Sequence, residues 1–195
     1  MVRGFSKTTQ PRDLAAFTAR CLSLAGHPFF VIPLTVAFAT RSWRSAAVIA
    51  ATTTLPLTLI IARKVRRGTW SDADVSRRDQ RSGLYFVMIP LLALTGLVLH
   101  LTGASPDLMR GIIAGAILLA AGLLANRFLK VSMHMMFDAY CALIIFSILP
   151  PTAPFLAIFV AAVAWSRHKL DRHTLPEILT GIAIGAAVGW WAAFG

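Results

Sequence analysis

Three short polar runs interrupt an otherwise apolar chain, and each carries side chains able to hold or attack an anion. The first is Ser71-Asp72-Ala73-Asp74-Val75-Ser76-Arg77-Arg78-Asp79-Gln80-Arg81, the second Lys130-Val131-Ser132-Met133-His134, and the third Ser166-Arg167 followed by His173 and Glu177. Together they bring two imidazoles, several guanidinium groups, a lysine and a carboxylate one helical turn from a histidine. A phosphomonoester carries a doubly charged phosphoryl group and a poor alkoxide leaving group, so hydrolysing it without a metal takes a nucleophile, a general acid and several fixed cations. The three runs hold candidates for each part.

Metal binding is the main chemical rival. His134 with Asp138, and His173 with Glu177, are each spaced to point two ligands the same way on a helix. No HExxH sequence accompanies them, and Asp72 and Asp74 lack the rest of the NDxxDxxxD pattern of membrane prenyltransferases that bind magnesium diphosphate. No metal or other cofactor is therefore expected. Glu177 also has a structural reading, because Thr174 and Glu177 fit a capping box with Pro176 in the first turn of a helix. Asp138 lies inside an apolar run, where an ionisable group is costly unless paired, and it could orient His134 or bridge to another helix. Arg63, Lys64, Arg66 and Arg67 read as a headgroup-contacting, topology-setting cluster. Cys21 and Cys141 show no CxxC or Cys/His metal spacing.

The elements that must position these residues are set by composition. The chain of 195 residues is 57% hydrophobic and 14% charged, with mean hydropathy +0.70. That is far more apolar surface than one soluble core of this size buries, so the bilayer is part of its solvent. The expected fold is all-α, a polytopic transmembrane helical bundle of six to seven spans in a single domain over 1–195, with a basic N-terminal segment at 1–21. Apolar runs near the crossing length of about 20 residues fall at roughly 22–40, 45–62, 84–102, 109–127, 133–149, 153–166 and 175–194. Pro150-Pro151 forces the turn between the fifth and sixth.

With seven crossings, the N-terminus and segments 63–83, 128–132 and 167–174 share one membrane face. All Lys and Arg except Arg41, Arg44 and Arg110 then lie on that face, which positive-inside bias assigns to the cytoplasm. The formal charge of +11 is explained by this topology and by anionic headgroups, so nucleic acid is not expected as a partner. Gly181, Gly185 and Gly189 let another helix approach the last span closely, within the bundle or, as the second option, in a homodimer. Gly111 and Gly115 read the same way.

Ser166-Arg167, five residues, His173, three residues and Glu177 resemble the final signature of the type 2 phosphatidic acid phosphatase superfamily, SRxxxxxHxxxD, with Glu in place of Asp. Ser132-Met133-His134 resembles its middle signature, PSGH, and the stretch ending at Arg81 a degenerate form of the first, KxxxxxxRP. "SDADVSRRDQR" and "SRHKLDRHTLPEILTG" are similar to small bacterial and archaeal members, and the resemblance covers about 64–190. It implies an integral protein of a prokaryotic inner membrane that removes phosphate from a lipid phosphate or isoprenoid (di)phosphate through a phosphohistidine, without metal. His173 would attack phosphorus, Glu177 would fix the ring's tautomer, and His134 would protonate the leaving oxygen. Arg167, Arg78, Arg81, Lys130 and Ser132 would hold the phosphoryl group. Departures from the pattern are Asp74 for the first lysine, Ser82 for proline, and Val131 and Met133 for the proline and glycine of the middle motif. A position there that demands positive φ or close phosphate approach would leave Met133 strained or obstructive. The rival function from a different class is a lipid-headgroup binder that does not hydrolyse.

Overall fold

The computed structural model describes residues 14–75 and 77–195; Ser76 and residues 1–13, with Arg3, Lys7 and Arg12 of the basic N-terminal segment, lie outside them. The described residues are helical with no strand. Helices α1 (Leu14–Ala25) and α2 (Pro28–Thr40) are bent by 48° at Gly26-His27. Pro28 takes the first helical position, where its missing N–H matters least, and the ring of His27 caps α2 by accepting the N–H of Phe29 at 3.2 Å. Gly26 is required there: a Cβ would lie 2.6 Å from Val163 Cγ2 and 2.9 Å from Asp138 Oδ2. α3 (Trp43–Ile49) runs through a π-helical turn, Ala50–Thr54, into α4 (Leu55–Arg66).

Next come α5 (Arg78–Leu101), α6 (Pro106–Ala125), α7 (Met133–Ile148), α8 (Ala153–Lys169) and α9 (Leu175–Phe194). Ser105 caps α6 by accepting the N–H of Leu108, and Thr174 with Glu177 forms the expected capping box of α9. By length and composition four helices can cross a membrane, namely Trp43–Arg66, α5, α6 and α9, or five if the bent pair α1–α2 is one crossing. The sequence reading of seven also uses α7 and α8. These have 16 and 17 residues, about 24–26 Å, which is shorter than a hydrocarbon core of about 30 Å. Their apolar stretches are cut by Pro150-Pro151 at one end and by the polar runs at the other.

α7 and α9 form the centre of the bundle. Gly181 and Gly185 allow it, since a Cβ would stand 2.7 Å from the carbonyl of Ser132 and 2.1 Å from that of Met136. The glycine face is thus buried against α7 of the same chain and offers no free surface for a second copy. A core of Leu57, Tyr85, Leu118 and Met136 joins α4, α5, α6 and α7. Large apolar side chains such as Phe86, Leu97, Ile113, Phe155 and Leu179 face outward, as expected when lipid replaces water around the protein.

Candidate anion site at the polar end of the bundle

The three polar runs meet at one end of the bundle. His173 follows the C-terminus of α8 and precedes the cap of α9, and it is buried. Its Nδ1 lies 3.1 Å from the carbonyl of Lys130 and 3.0 Å from Glu177 Oε2. Both partners can only accept, so Nδ1 carries the proton and Nε2 presents its lone pair. That lone pair faces Arg81, whose Nη2 donates to it at 3.3 Å. Glu177 also accepts the N–H of Thr174 at 3.1 Å. One carboxylate therefore caps the helix and orients the imidazole, so the structural and orienting readings hold together.

Arg81 and Arg167 are buried, at 3% and 2% exposure. Arg81 is held by the carbonyls of Val75 and Val131, and Val75 itself has a left-handed backbone at φ 47°. Arg167 gives Nη1 to Ser23 Oγ at 2.7 Å, and both Nη1 and Nη2 reach Asp74 Oδ2 at 3.1 Å. Arg81, Arg167 and Asp74 line one cavity of ≈ 50 Å³ together with His134 and His27. The imidazoles of His27 and His134 meet edge to face with centroids 4.9 Å apart, and His134 Nε2 is buried without a hydrogen-bond partner. Met133, at the start of α7, lines the same cavity. It is not among the residues of positive φ, so side-chain bulk distinguishes it from glycine and backbone strain does not arise.

The other expected residues are placed differently. Arg78 is exposed and donates to the carbonyls of Asn126 and Arg127, so it closes the C-terminus of α6 and is not brought to the cavity. Lys130 Nζ donates to the carbonyl of Arg172 at 2.7 Å, pinning the loop before α9. Ser132 is fully buried, its N–H bonds to the carbonyl of Glu177 at 3.1 Å, and its Oγ has no partner. Neither oxygen of Asp138 has a hydrogen-bond partner, so Asp138 does not orient His134 by a hydrogen bond or form a bridge. Sequence reasoning missed His27 and Ser23 as site residues, and it read Asp74 as half of an incomplete acidic pair and as a departure from the first signature, not as the partner of Arg167. An imidazole at a Gly-His-Pro break inside an apolar run is a signal for His27.

Among the described residues, His27, Asp74 and His134 form the trio able to hold a metal, with ligand atoms within 4.8 Å of one another. The set differs from the pairs suggested by sequence spacing. His27 fits it poorly: its Nδ1 lone pair already accepts the N–H of Phe29, which leaves the proton on Nε2. Ligation would take either the helix cap or that proton. Two buried guanidinium groups beside the trio also oppose a dication.

Outside the helices the field is cationic. His173 is pulled down to about 2, first by burial, then by Arg81, Arg167 and Lys130, against the hydrogen bond to the carbonyl of Lys130. Its ring is neutral throughout the physiological range. Lys130 lies below its usual value, chiefly by burial; Arg81, Arg167 and Arg172 act in the same direction and Glu177 opposes them.

Fold and site together define an all-helical membrane protein with a buried, cation-lined pocket at one end. Comparisons with protein-family models, curated proteins and solved structures return no match to the chain.

Proposed function

We propose that the chain is a metal-independent phosphatase that hydrolyses a lipid phosphate or isoprenoid (di)phosphate at the membrane interface through a phosphohistidine. In this reading it is a bundle of six to seven crossings resembling the type 2 phosphatidic acid phosphatases, with its polar end toward the cytoplasm. One observation carries the reading: His173 is held as a neutral ring with its proton on Nδ1 and its Nε2 lone pair turned to Arg81, with Arg167 and His134 in the adjoining cavity that Arg81 also lines.

In the first step Nε2 of His173 forms a bond to phosphorus as the bond from phosphorus to the lipid oxygen breaks. His134, which takes up a proton as the doubly charged phosphoryl group binds beside it, passes that proton to the leaving oxygen, while Arg81 and Arg167 balance charge on the phosphoryl oxygens. Glu177 and the carbonyl of Lys130 keep the proton on Nδ1, so the nucleophilic nitrogen is always the one facing substrate. In the second step His134 takes a proton from water, the water oxygen attacks phosphorus, and inorganic phosphate leaves with Nε2 restored. Asp74 stands where the phosphoryl group must bind Arg167, so the substrate displaces it.

A second reading, headgroup binding without turnover, is favoured by the hydrogen bond from Arg81 to His173 Nε2, which occupies the lone pair that would attack phosphorus. Purified protein given a lipid phosphate in EDTA separates the two. Phosphate release that is lost in His173→Ala, with folding intact, supports the enzyme. Headgroup affinity that falls in Arg167→Ala, with no release in any variant, supports the binder, and release that EDTA stops contradicts the metal-free mechanism.

A further inference from the structure

Three separate cavities with shared wall residues are strung along α2 and α7, starting at the cationic pocket. The pocket shares Met88 and Phe137 with a chamber of ≈ 110 Å³. The chamber in turn shares Ile32, Val36, Gly111 and Tyr140 with a vestibule of ≈ 510 Å³ at the opposite end of the bundle. Thr40, Ser105, Asp107 and Arg110 form the polar edge of that vestibule. The wall residues recur at helical spacing, as Ile32, Val36 and Thr40 on α2 and as His134, Phe137, Tyr140 and Ile144 on α7. The cavities therefore form a row along both helices, about 24 Å long on α7 alone, and a ligand that runs through it makes the row one path by turning aside the shared wall side chains Met88 and Phe137.

The middle of the path is built for hydrocarbon. Its threonine hydroxyls are already used: Thr95 Oγ1 meets Thr53 Oγ1 at 2.5 Å, Thr52 Oγ1 at 2.7 Å and the carbonyl of Leu91 at 2.8 Å. The π-helical turn of residues 50–54 aims two consecutive threonines at Thr95, the kind of local widening found at functional sites. An apolar cavity of this kind holds hydrocarbon in preference to water, and its volume is the liquid share of about four waters. That is room for a few methylene groups of one chain, with no space for a second chain beside them.

We infer that the ligand is a single-chain lipid phosphate, of the isoprenyl phosphate kind, whose tail lies inside the bundle between α2 and α7 and not in the surrounding bilayer. This rests on reading the cationic pocket as a phosphate site. The tail passes between Met88 and Phe137, fills the chamber and ends in the vestibule. A two-chain phosphatidate cannot enter it.

Gly111 supplies the test. It lines chamber and vestibule, and a Cβ built on it meets its nearest neighbour, Tyr140 Oη, at 3.7 Å, an ordinary contact that leaves room for a side chain to plug the path. Phosphate release from farnesyl phosphate, geranylgeranyl phosphate, dioleoyl phosphatidate and phenyl phosphate is measured for the unmodified protein and for Gly111→Leu. The expected result is a preference of about tenfold or more in kcat/KM for the isoprenyl phosphates over the phosphatidate. The plug should lower kcat/KM for geranylgeranyl phosphate about tenfold and leave phenyl phosphate unchanged. Equal use of the phosphatidate, or a plug that affects neither lipid, overturns the inference.

The substrate comparison does not depend on the variant's folding. Labelling by farnesyl phosphate with a photoreactive group at the far end of its tail tests the path without turnover. Adducts on Ile32, Val36 or Ile112 support the channel, and adducts confined to outward residues such as Phe86 and Ile113 overturn it even if phosphate is released. Adducts inside with no release from any substrate keep the channel and remove the phosphatase reading.

Discussion

Asp74 sits end-on against Arg167, its Oδ2 3.1 Å from both terminal nitrogens of a guanidinium that is 2% exposed. On the proposed reading the carboxylate takes the position a phosphoryl oxygen needs, so the chain carries its own competitor for the site. Asp74→Asn leaves the buried Arg167 with neutral acceptors and no counter-charge, and we expect a stability loss of about 3 kcal/mol. Inorganic phosphate or vanadate should restore the melting temperature of the variant and raise that of the unmodified protein less, because the latter must first give up Asp74. Thermal unfolding in detergent with and without phosphate checks this, and a variant insensitive to phosphate contradicts it.

Glu177 shares the Nδ1 proton of His173 with the carbonyl of Lys130, 3.0 and 3.1 Å away. Removing the carboxylate therefore leaves one acceptor in place. Glu177→Ala should lower kcat about 100-fold, a smaller loss than in His173→Ala, and should cost about 1 kcal/mol of stability through the lost cap of α9. Turnover and melting of the two variants separate these effects; equal kinetic loss in both shows that the carbonyl does not suffice to hold the tautomer.

The depressed His173 makes stability depend on pH. Folded, its ring stays neutral down to about 2, whereas in the unfolded chain it takes up a proton below about 6.5. The unfolded state then binds more protons, so stability is full above about 6.5 and falls as pH drops below it, by about 2 kcal/mol at pH 5. His173→Gln should flatten that part of the profile, and a variant with the same slope as the unmodified protein assigns the dependence to other groups.

Much of this was legible from residue spacing. The run from Ser166 to Glu177 gave His173, the acid that orients its ring and Arg167, and the polar runs that carry Lys130, His134 and Arg81 do meet it at one end of the bundle. The rest depends on contacts that no local pattern encodes. His27 reaches His134 only because the chain bends 48° at Gly26. Arg78, beside Arg81 in sequence, turns to the end of α6 instead. Gly111 and Gly115 read as packing residues, yet they border the apolar chamber, because a small residue opens a cavity as readily as it admits a helix. The count of seven crossings follows from apolar run length, which the short α7 and α8 meet only in part.

Gly185 tests the packing of α7 on α9. A Cβ there would lie 2.1 Å from the carbonyl oxygen of Met136, a rigid backbone atom. Gly185→Ala should destabilise the protein by about 1–3 kcal/mol, and because Met136 follows His134 on α7, turnover should fall as well. A variant that melts as the unmodified protein does shows that the two helices are not in this contact.

In the proposed reaction His173 becomes covalently phosphorylated. Protein mixed with a radiolabelled lipid phosphate in EDTA and quenched in base, which preserves phosphoramidate bonds, should carry label on the peptide that contains His173. The label should be absent from His173→Ala, and in His134→Ala, which lacks the acid of the first step and the base of the second, it should form from labelled p-nitrophenyl phosphate, whose leaving group needs no proton, and then persist. Phosphate release with no label on His173 in either the unmodified protein or His134→Ala would contradict the account.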